Sequence, residues 1–234
     1  MIRPVVTLRR RRLIIDVDTQ KDFLLANGSA CVRNHRRVLQ NIRRVMAWAR
    51  MKNVRVISTK QVYDPGHSGN GHGQPYCIRG TEGCRKVPYT VRKNHITFVA
   101  DGCTDLPRDI LKTYDQVVLH KRCSNPFEEP RADRLLGDVQ VNEFVVIGAT
   151  TEDAVKHTVL GLLLRRKSVT VLVDAVGACD RGAAEIALRQ MEAKGAKLAE
   201  TKALLGSSSL RLVGVCACDR CQGRLQKKSF GVGA

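Results

Sequence analysis

Apolar runs alternate with amphipathic segments along this chain. The runs predict buried strands at 13–17, 54–58, 116–120, 143–147 and 169–173, with a further short strand beginning near Leu198. Apolar positions at helical spacing predict helices over 36–51, 131–136, 152–165 and 181–194, the last with Asp180 as its N-cap. Strands that alternate with helices indicate an α/β fold: a three-layer, doubly wound, mainly parallel sheet with helices on both faces.

Residues 61–90 interrupt this pattern. They are rich in Gly, Pro, His and Tyr and show no periodicity, which predicts a long loop. Loops of that length in a compact domain are usually functional. We expect one domain over 13–205, preceded by a basic segment (1–12) and followed by a basic, Cys-rich tail (206–234).

Composition limits the class of protein. The 234 residues are 43% hydrophobic, enough for one sizeable core, and no stretch approaches the roughly 20 apolar residues of a membrane span. The nine cysteines are scattered and odd in number, which favours reduced thiols over disulfides. These features predict a cytoplasmic protein without a membrane partner.

The formal net charge is +18 at pH 7. Such an excess favours nucleic acid or another acidic partner, or else reflects an Arg-rich solvated surface. The basic residues are spread along the chain and are not interleaved with aromatic residues that would stack on bases.

Polar residues follow several of the predicted strands. They are Asp16 and Asp18, 59–64, Lys121, and 150–154. Ligands of parallel sheets bind beyond the carboxyl ends of the strands, so these side chains are the candidates for a site. An acid, a lysine and a nucleophile have complementary roles in hydrolysis, although Asp18 and Lys121 are equally compatible with a salt bridge at the sheet edge.

Four segments in order resemble motifs of the isochorismatase-like cysteine hydrolases. They are LIIDVDTQKDF at 13–23, PYCIRGTEG at 75–83, HKRCSNPF at 120–127 and GATTEDAV at 148–155. The resemblance covers roughly residues 10–205. The family includes nicotinamidases, isochorismatases and N-carbamoyl amide hydrolases, and oligomers are usual in it. The resemblance therefore implies hydrolysis of a C–N bond in a small amide, by a protein that forms homo-oligomers.

The resemblance also implies a catalytic triad. Asp18 matches the general acid/base and Lys121 matches the lysine that stabilises the thiolate. Ala154 stands at the nucleophile position, where the family has Cys. No cofactor is required for such a triad.

Further site residues follow from the same resemblance. A cis peptide would lie at Ala149–Thr150, and the N–H groups of Thr150 and Ala154 would form an oxyanion hole. Three aromatic residues are expected in the substrate pocket: Phe23, Tyr63 and Phe127.

Three explanations of Ala154 remain open. The alanine was introduced to remove the nucleophile, or the chain is a natural pseudoenzyme that binds without catalysis, or another residue acts instead. The candidates for that replacement are Thr151, Cys123 and Asp153. Natural loss is slightly favoured, because the loop that holds a metal in nicotinamidases has also changed in this chain.

Nicotinamidases hold a metal through an Asp-x-His pattern after the second strand. Here Gln61-Val-Tyr63 lies near that position, followed by Asp64, His67 and His72. The broken pattern argues against a nicotinamidase, although His67 or His72 remains a candidate ligand.

The tail contains a Cys-x-Cys-x₂-Cys cluster: Cys216, Cys218 and Cys221. Three thiolates at this spacing predict a zinc site if a fourth ligand comes from elsewhere. The candidates for the fourth ligand are His67, His72, Cys77 and Cys84. The alternative is a tail with incidental thiols.

Overall fold

The structure is a computed structural model that describes residues 12–66 and 74–206. It also describes a short antiparallel strand pair, Val213–Val215 with Leu225–Lys227. His67, His72 and the three tail cysteines lie outside the described residues. The domain boundaries proposed from the sequence stay predictions.

A seven-stranded sheet forms the middle layer. Its strands are β1 (Arg12–Val17), β2 (Val56–Gln61), β3 (His95–Phe98), β4 (Gln116–Lys121), β5 (Glu143–Ala149), β6 (Val169–Gly177) and β7 (Lys197–Ala199). Their order across the sheet is β3-β4-β2-β1-β5-β6-β7, and every neighbouring pair is parallel. The predicted doubly wound α/β fold is confirmed.

Helices cover both faces of the sheet. Those described are α1 (Lys21–Leu24), α2 (His35–Met51), α3 (Ile110–Thr113), α4 (Pro130–Asp138), α5 (Lys156–Leu164), α6 (Arg181–Ala193) and α7 (Thr201–Leu205). Helices α1, α2 and α7 pack on one face, and α3 to α6 pack on the other. Asp180 caps α6 as expected, since its Oδ1 accepts from the Ala183 N–H at 2.7 Å.

Successive side chains of each strand point to opposite faces and supply two cores. In β1, Ile14 packs towards α2, whereas Leu13 and Ile15 pack towards the other helical layer. In β5, Val145 and Val146 divide in the same way. Strands covered on both faces are apolar throughout, which is why the sequence shows them as continuous runs.

Three features of the sheet differ from the sequence prediction. Strand β2 spans Val56–Gln61 instead of 54–58, and β3 lies in a segment where no strand was expected. Strand β6 continues to Gly177 instead of ending at 173. The extension contains Asp174, a polar residue that breaks the apolar run. Its Oδ1 accepts hydrogen bonds from the N–H and the hydroxyl of Thr201, both at 2.8 Å, so the carboxylate is satisfied inside the domain.

The chain reverses its direction across the sheet between β1 and β5. Val17 pairs there with Gly148, whose φ is +130°. A Cβ at Gly148 would lie 1.9 Å from the Val17 carbonyl oxygen, so only glycine permits this approach. The carboxyl ends of β1 and β5 thus meet at the switch point where open α/β sheets bind ligands.

No helix in the ranges that the structure describes is long and apolar enough to cross a membrane.

Candidate active site

An acid–lysine pair lies at the carboxyl end of the sheet. Lys121 Nζ is 2.7 Å from Asp18 Oδ2, and both side chains are only 1% exposed. Asp18 follows β1 and Lys121 ends β4, with β2 between them, so the two side chains together bridge two strand spacings, about 9.5 Å. The fold therefore brings together two residues that are distant in sequence, as the post-strand positions predict.

Lys121 uses all three of its ammonium protons. Besides Asp18, its Nζ donates to Gln61 Oε1 at 2.5 Å and to the Cys123 carbonyl oxygen at 2.9 Å. An ammonium group has three donors and no acceptor, so this set is complete. The pair is fixed in one geometry with almost no exposed surface.

Asp18 is held equally firmly. Its backbone is in the left-handed region at φ 45°, which Asp tolerates better than most residues. The Thr59 hydroxyl donates to Asp18 Oδ1 at 2.7 Å and accepts from the Asp18 N–H at 3.2 Å. Thr59 and Gln61 are buried polar residues within β2. The Thr59 hydroxyl and the Gln61 amide oxygen are satisfied by hydrogen bonds to this pair.

The segment after β5 forms a strand–turn–helix elbow. The Ala149–Thr150 peptide is cis, as expected. A π-helical turn follows over Thr151–Val155, with the Val155 N–H bonded to the Thr150 carbonyl at 3.0 Å. The Thr151 hydroxyl donates to the Gly177 carbonyl at 2.9 Å and ties the elbow to the end of β6.

A cavity of about 280 Å³ lies between this elbow and the end of β1. It is lined by Asp18, Phe23, Ser29, Ala30, Cys31, Gln61, Tyr76, Ser124, Thr150, Glu152, Asp153, Ala154 and Cys179. Four of the predicted site residues therefore share one cavity: Asp18, Phe23, Thr150 and Ala154. Lys121 lies behind Asp18 and Gln61 and does not line it.

Tyr63 and Phe127, which were expected in the pocket, lie outside its lining. Phe127 packs instead on α5, close to Gly161 and with the Arg165 guanidinium 3.9 Å from its ring centroid. Tyr63 contacts Tyr76, which lines the cavity; the two rings lie edge to face at a centroid distance of 5.6 Å. The sequence did not single out Tyr76, although it occupies the resemblance segment at 75–83.

The proposed replacement nucleophiles all have other partners, although Asp153 lines the cavity. The Thr151 hydroxyl is bonded to Gly177, and Cys123 Sγ is 3.2 Å from the Asn125 carbonyl. Burial, first of all, raises the pKa of Cys123 to about 11. Asp153 accepts from the Ser124 hydroxyl at 2.5 Å and faces His157 Nδ1 at 3.1 Å. None of these candidates presents an activated nucleophile beside Asp18.

Two cysteines that the sequence did not point to line the cavity. They are Cys31 and Cys179, each of which comes from a loop beside the elbow. Burial raises the pKa of Cys31, and burial with the nearby Glu152 carboxylate raises the pKa of Cys179 to about 11. Both thiols are protonated at neutral pH, so neither replaces the missing thiolate.

The Isochorismatase domain profile matches residues 12–203. The chain belongs to the isochorismatase family. A comparison with curated proteins finds no match.

Solved structures share the fold of this isochorismatase-family chain. An isochorismatase family protein from Desulfovibrio vulgaris is 23% identical with a TM-score of 0.65, over 84% of this chain and 97% of that chain. A pyrazinamidase of Pyrococcus horikoshii, in complex with zinc, is 23% identical with a TM-score of 0.61, over 81% and 99%. The MAR1 ribonuclease from Caenorhabditis elegans is 19% identical with a TM-score of 0.56, over 87% and 81%. At these identities the similarity shows the fold alone.

Gln61 and Tyr63, which are described residues at the metal-loop position of this isochorismatase-family chain, do not fit zinc. Gln61 offers only an amide oxygen, which already accepts from the Lys121 ammonium. Burial, followed by the hydrogen bond to Tyr76, raises the pKa of Tyr63, which keeps its phenol protonated. No group of three or more metal-binding side chains occurs among the described residues.

Two of the candidate partners for the tail cysteines are buried. Cys77 is 0% exposed and Cys84 is 2% exposed, and burial is the main cause that raises the pKa of both. Their thiols face the interior of the domain, where Cys84 Sγ lies 3.7 Å from the Gln61 carbonyl. These positions do not favour either thiol as a fourth zinc ligand.

Proposed function

We propose that this chain binds a small amide in the cavity at the end of β1 and β5 and does not cleave it through a covalent thioester. The observation that carries the proposal is that the Ala154 methyl group lines the same cavity as the Asp18 carboxylate, which Lys121 holds at 2.7 Å. The arrangement supports a hydrolase site that is complete except for its nucleophile.

Each residue has a role in the corresponding reaction. Asp18 would accept the proton of a thiol at position 154, and the positive charge of Lys121, which is ion-paired with Asp18, would stabilise the thiolate. The N–H groups of Thr150 and Ala154, at the start of the π turn and α5, would stabilise the oxyanion formed from the amide carbonyl. The methyl group at position 154 cannot attack the amide carbonyl of the ligand, so the ligand stays intact.

The family assignment supports an amide as ligand, since the zinc-bound relative is a pyrazinamidase. The ribonuclease with the same fold shows that the fold by itself does not define the substrate. The proposal therefore depends on the site. It needs no metal, because Asp18, Lys121 and a thiol are sufficient for the chemistry.

We also propose that the protein works as a homo-oligomer in a reducing compartment such as the cytoplasm. The six described cysteines are all free thiols, which is the usual state in such a compartment.

The substitution Ala154→Cys tests the proposal. Removal of one member of a triad costs several orders of magnitude in rate, so its restoration should raise amide hydrolysis by at least about 1000-fold on some member of a panel of small amides. Ammonia release would be measured for the unaltered chain, for Ala154→Cys, and for Ala154→Cys combined with Asp18→Asn.

We expect hydrolysis for Ala154→Cys and not for the double variant, because Asp18→Asn removes the base and keeps the size of the side chain. Ala154→Ser provides a further control, since a hydroxyl without a strong base is a poor nucleophile. Binding of unhydrolysed amides to the unaltered chain would be followed by thermal shift. If Ala154→Cys binds and hydrolyses no member of the panel, the proposal is wrong.

A further inference from the structure

Two arginines of α2 contact Tyr89 on the face of the sheet that α2 covers, and Arg92 follows three residues after Tyr89. The Arg43 guanidinium carbon lies 4.6 Å from the centroid of the Tyr89 ring. Arg50, two turns further along α2, donates from Nη2 to the Tyr89 carbonyl oxygen. Arg92 follows the turn at Pro88–Thr90, and its backbone N–H is fixed by Gln116 Oε1 at 2.6 Å. The active-site cavity includes none of these residues.

Arg92 is a buried cation without a counter-charge. Arg92 is only 6% exposed, and its Nη1 has no hydrogen-bond partner within the described part of the chain. The same part of the chain supplies no carboxylate ion-paired with Arg50 or Arg92. Buried charges in proteins are normally paired, so an isolated guanidinium at this depth calls for an anion.

The charges around Arg92 agree with this geometry. Burial, followed by the positive charges of Arg50 and Arg55, lowers the pKa of Arg92 to about 10. Arg55 has its own partner in Asp115. Asp16 is the carboxylate whose charge acts on Tyr89. Its Oδ2 is bound to Lys86 at 3.0 Å and to the Ser58 hydroxyl at 2.7 Å, whereas its Oδ1 has no hydrogen-bond partner among the described residues.

The surrounding sequence adds no acid. No Asp or Glu occurs between Asp22 and Asp64, a stretch that includes all of α2. Seven residues advance a helix by almost two full turns, so Arg36, Arg43 and Arg50 form a stripe along one side of α2, about 10.5 Å apart. Arg36 is exposed.

We propose that Arg43, Arg50 and Arg92 form a binding site for a phosphate group. Guanidinium groups bind phosphate oxygens through paired, charge-assisted hydrogen bonds, and half-exposed Arg43 and Arg50 give access from solvent. A phosphate bound between them supplies the counter-charge that Arg92 lacks. The phosphate belongs to a small phosphorylated compound or to the backbone of a nucleic acid strand that continues along the stripe to Arg36.

The test uses the full chain with inorganic phosphate and with a short single-stranded RNA oligonucleotide as probes. Thermal unfolding would be followed with increasing phosphate against chloride at equal ionic strength, and RNA binding by fluorescence anisotropy at several salt concentrations. The variants are Arg50→Gln and Arg92→Gln. Arg189→Gln is the control, because Arg189 is exposed on α6, on the opposite face of the sheet, and loses the same charge.

Phosphate should raise the Tm of the unaltered chain and of Arg189→Gln, and should raise the Tm of Arg92→Gln clearly less at the same phosphate concentration. Arg50→Gln and Arg92→Gln should each weaken phosphate binding about tenfold, the effect of one charge-assisted contact. Arg50 is half-exposed on a long helix, so we expect Arg50→Gln to fold. This variant therefore tests the site even if Arg92→Gln unfolds.

Arg36→Gln separates the two sources of phosphate. If the ligand is a nucleic acid backbone, this variant weakens RNA binding and lowers its salt dependence by about one ion, without effect on inorganic phosphate. If the ligand is a small phosphate compound, Arg36→Gln changes neither, and RNA binding is independent of Arg50. The proposal is overturned if phosphate raises the Tm of Arg50→Gln and Arg92→Gln as much as that of Arg189→Gln.

Discussion

At the scale of single residues, Lys121 and Asp18 form a buried ion pair whose hydrogen bonds are satisfied inside the domain. Both were predicted from their positions after strands, since such side chains converge at one edge of a parallel sheet. Their partners Thr59 and Gln61 were harder to identify, because polar residues inside a strand normally indicate an exposed face or the end of the strand. Here they are buried, and they are satisfied only through residues that are distant in sequence.

Removal of the lysine should be costly. Lys121→Met leaves the Asp18 carboxylate buried without its counter-charge, so we expect a loss of about 3–5 kcal/mol in the free energy of unfolding. Urea denaturation would measure it. Adding Asp18→Asn should restore much of the loss, because the remaining amide is neutral.

Lys112→Met is the matched control. Lys112 pairs with Asp109 on the surface, where both side chains are more than half exposed, so its loss should cost less than about 0.5 kcal/mol. Equal effects of Lys112→Met and Lys121→Met would contradict the account of the buried pair.

His120 should make the fold sensitive to acid. Burial, followed by the positive charges of Lys60, Arg79 and Lys86, lowers the pKa of His120 from 6.5 to about 4. Between these values the unfolded chain binds more protons at this position than the folded chain, so stability falls as the pH falls from about 6.5 towards 4.

The measurement is the urea midpoint at pH 7 and at pH 5 for the unaltered chain and for His120→Gln. Carboxylates contribute equally to both proteins, so the difference between them isolates His120. We expect His120→Gln to lose less stability on acidification than the unaltered chain; an equal loss would show that His120 titrates normally.

At the scale of elements, apolar runs identified five strands because these strands are covered on both faces. Edge strand β3 was missed: it has four residues that alternate between exposed and half-buried, which gives no continuous run. Strand β2 was placed too early, at 54–58, because its carboxyl end consists of the polar residues that hold the acid–lysine pair. The errors therefore occur where contacts distant in sequence replace hydrophobic burial.

The meeting of β1 and β5 depends on a single glycine. Gly148→Ala should destabilise the fold by at least about 2 kcal/mol, because the new methyl group would overlap the Val17 carbonyl and the φ of +130° is strained for any other residue. Chemical denaturation of the variant would give the value.

Gly102→Ala is a control for backbone strain alone. Gly102 also has a positive φ, +78°, but nothing lies within 4 Å of the position of its Cβ, so the cost should be about 1 kcal/mol. If Gly148→Ala costs no more than Gly102→Ala, the close approach of the two strands is not what requires glycine.

At the scale of the whole molecule, the fold class was predictable because alternation of strands and helices has few topological solutions. The position of the site was predictable for the same reason. Its lining was only partly predictable: Phe23 lies in the cavity, whereas Phe127, six residues after the end of β4, packs on α5. Cys31, Tyr76 and Cys179 come from loops, whose course the sequence pattern does not define.

The central claim is that this cavity is a hydrolase site that lacks only its thiol. The most direct measurement is the rate at which iodoacetamide modifies each cysteine of the Ala154→Cys variant at neutral pH, resolved by peptide mass spectrometry. Cys31 and Cys179 are internal controls, since they line the same cavity with raised pKa values. We expect the introduced thiol to react at least about tenfold faster than either control, and Asp18→Asn to remove the difference. An introduced thiol that reacts no faster than Cys179 would contradict a hydrolase site that lacks only its thiol.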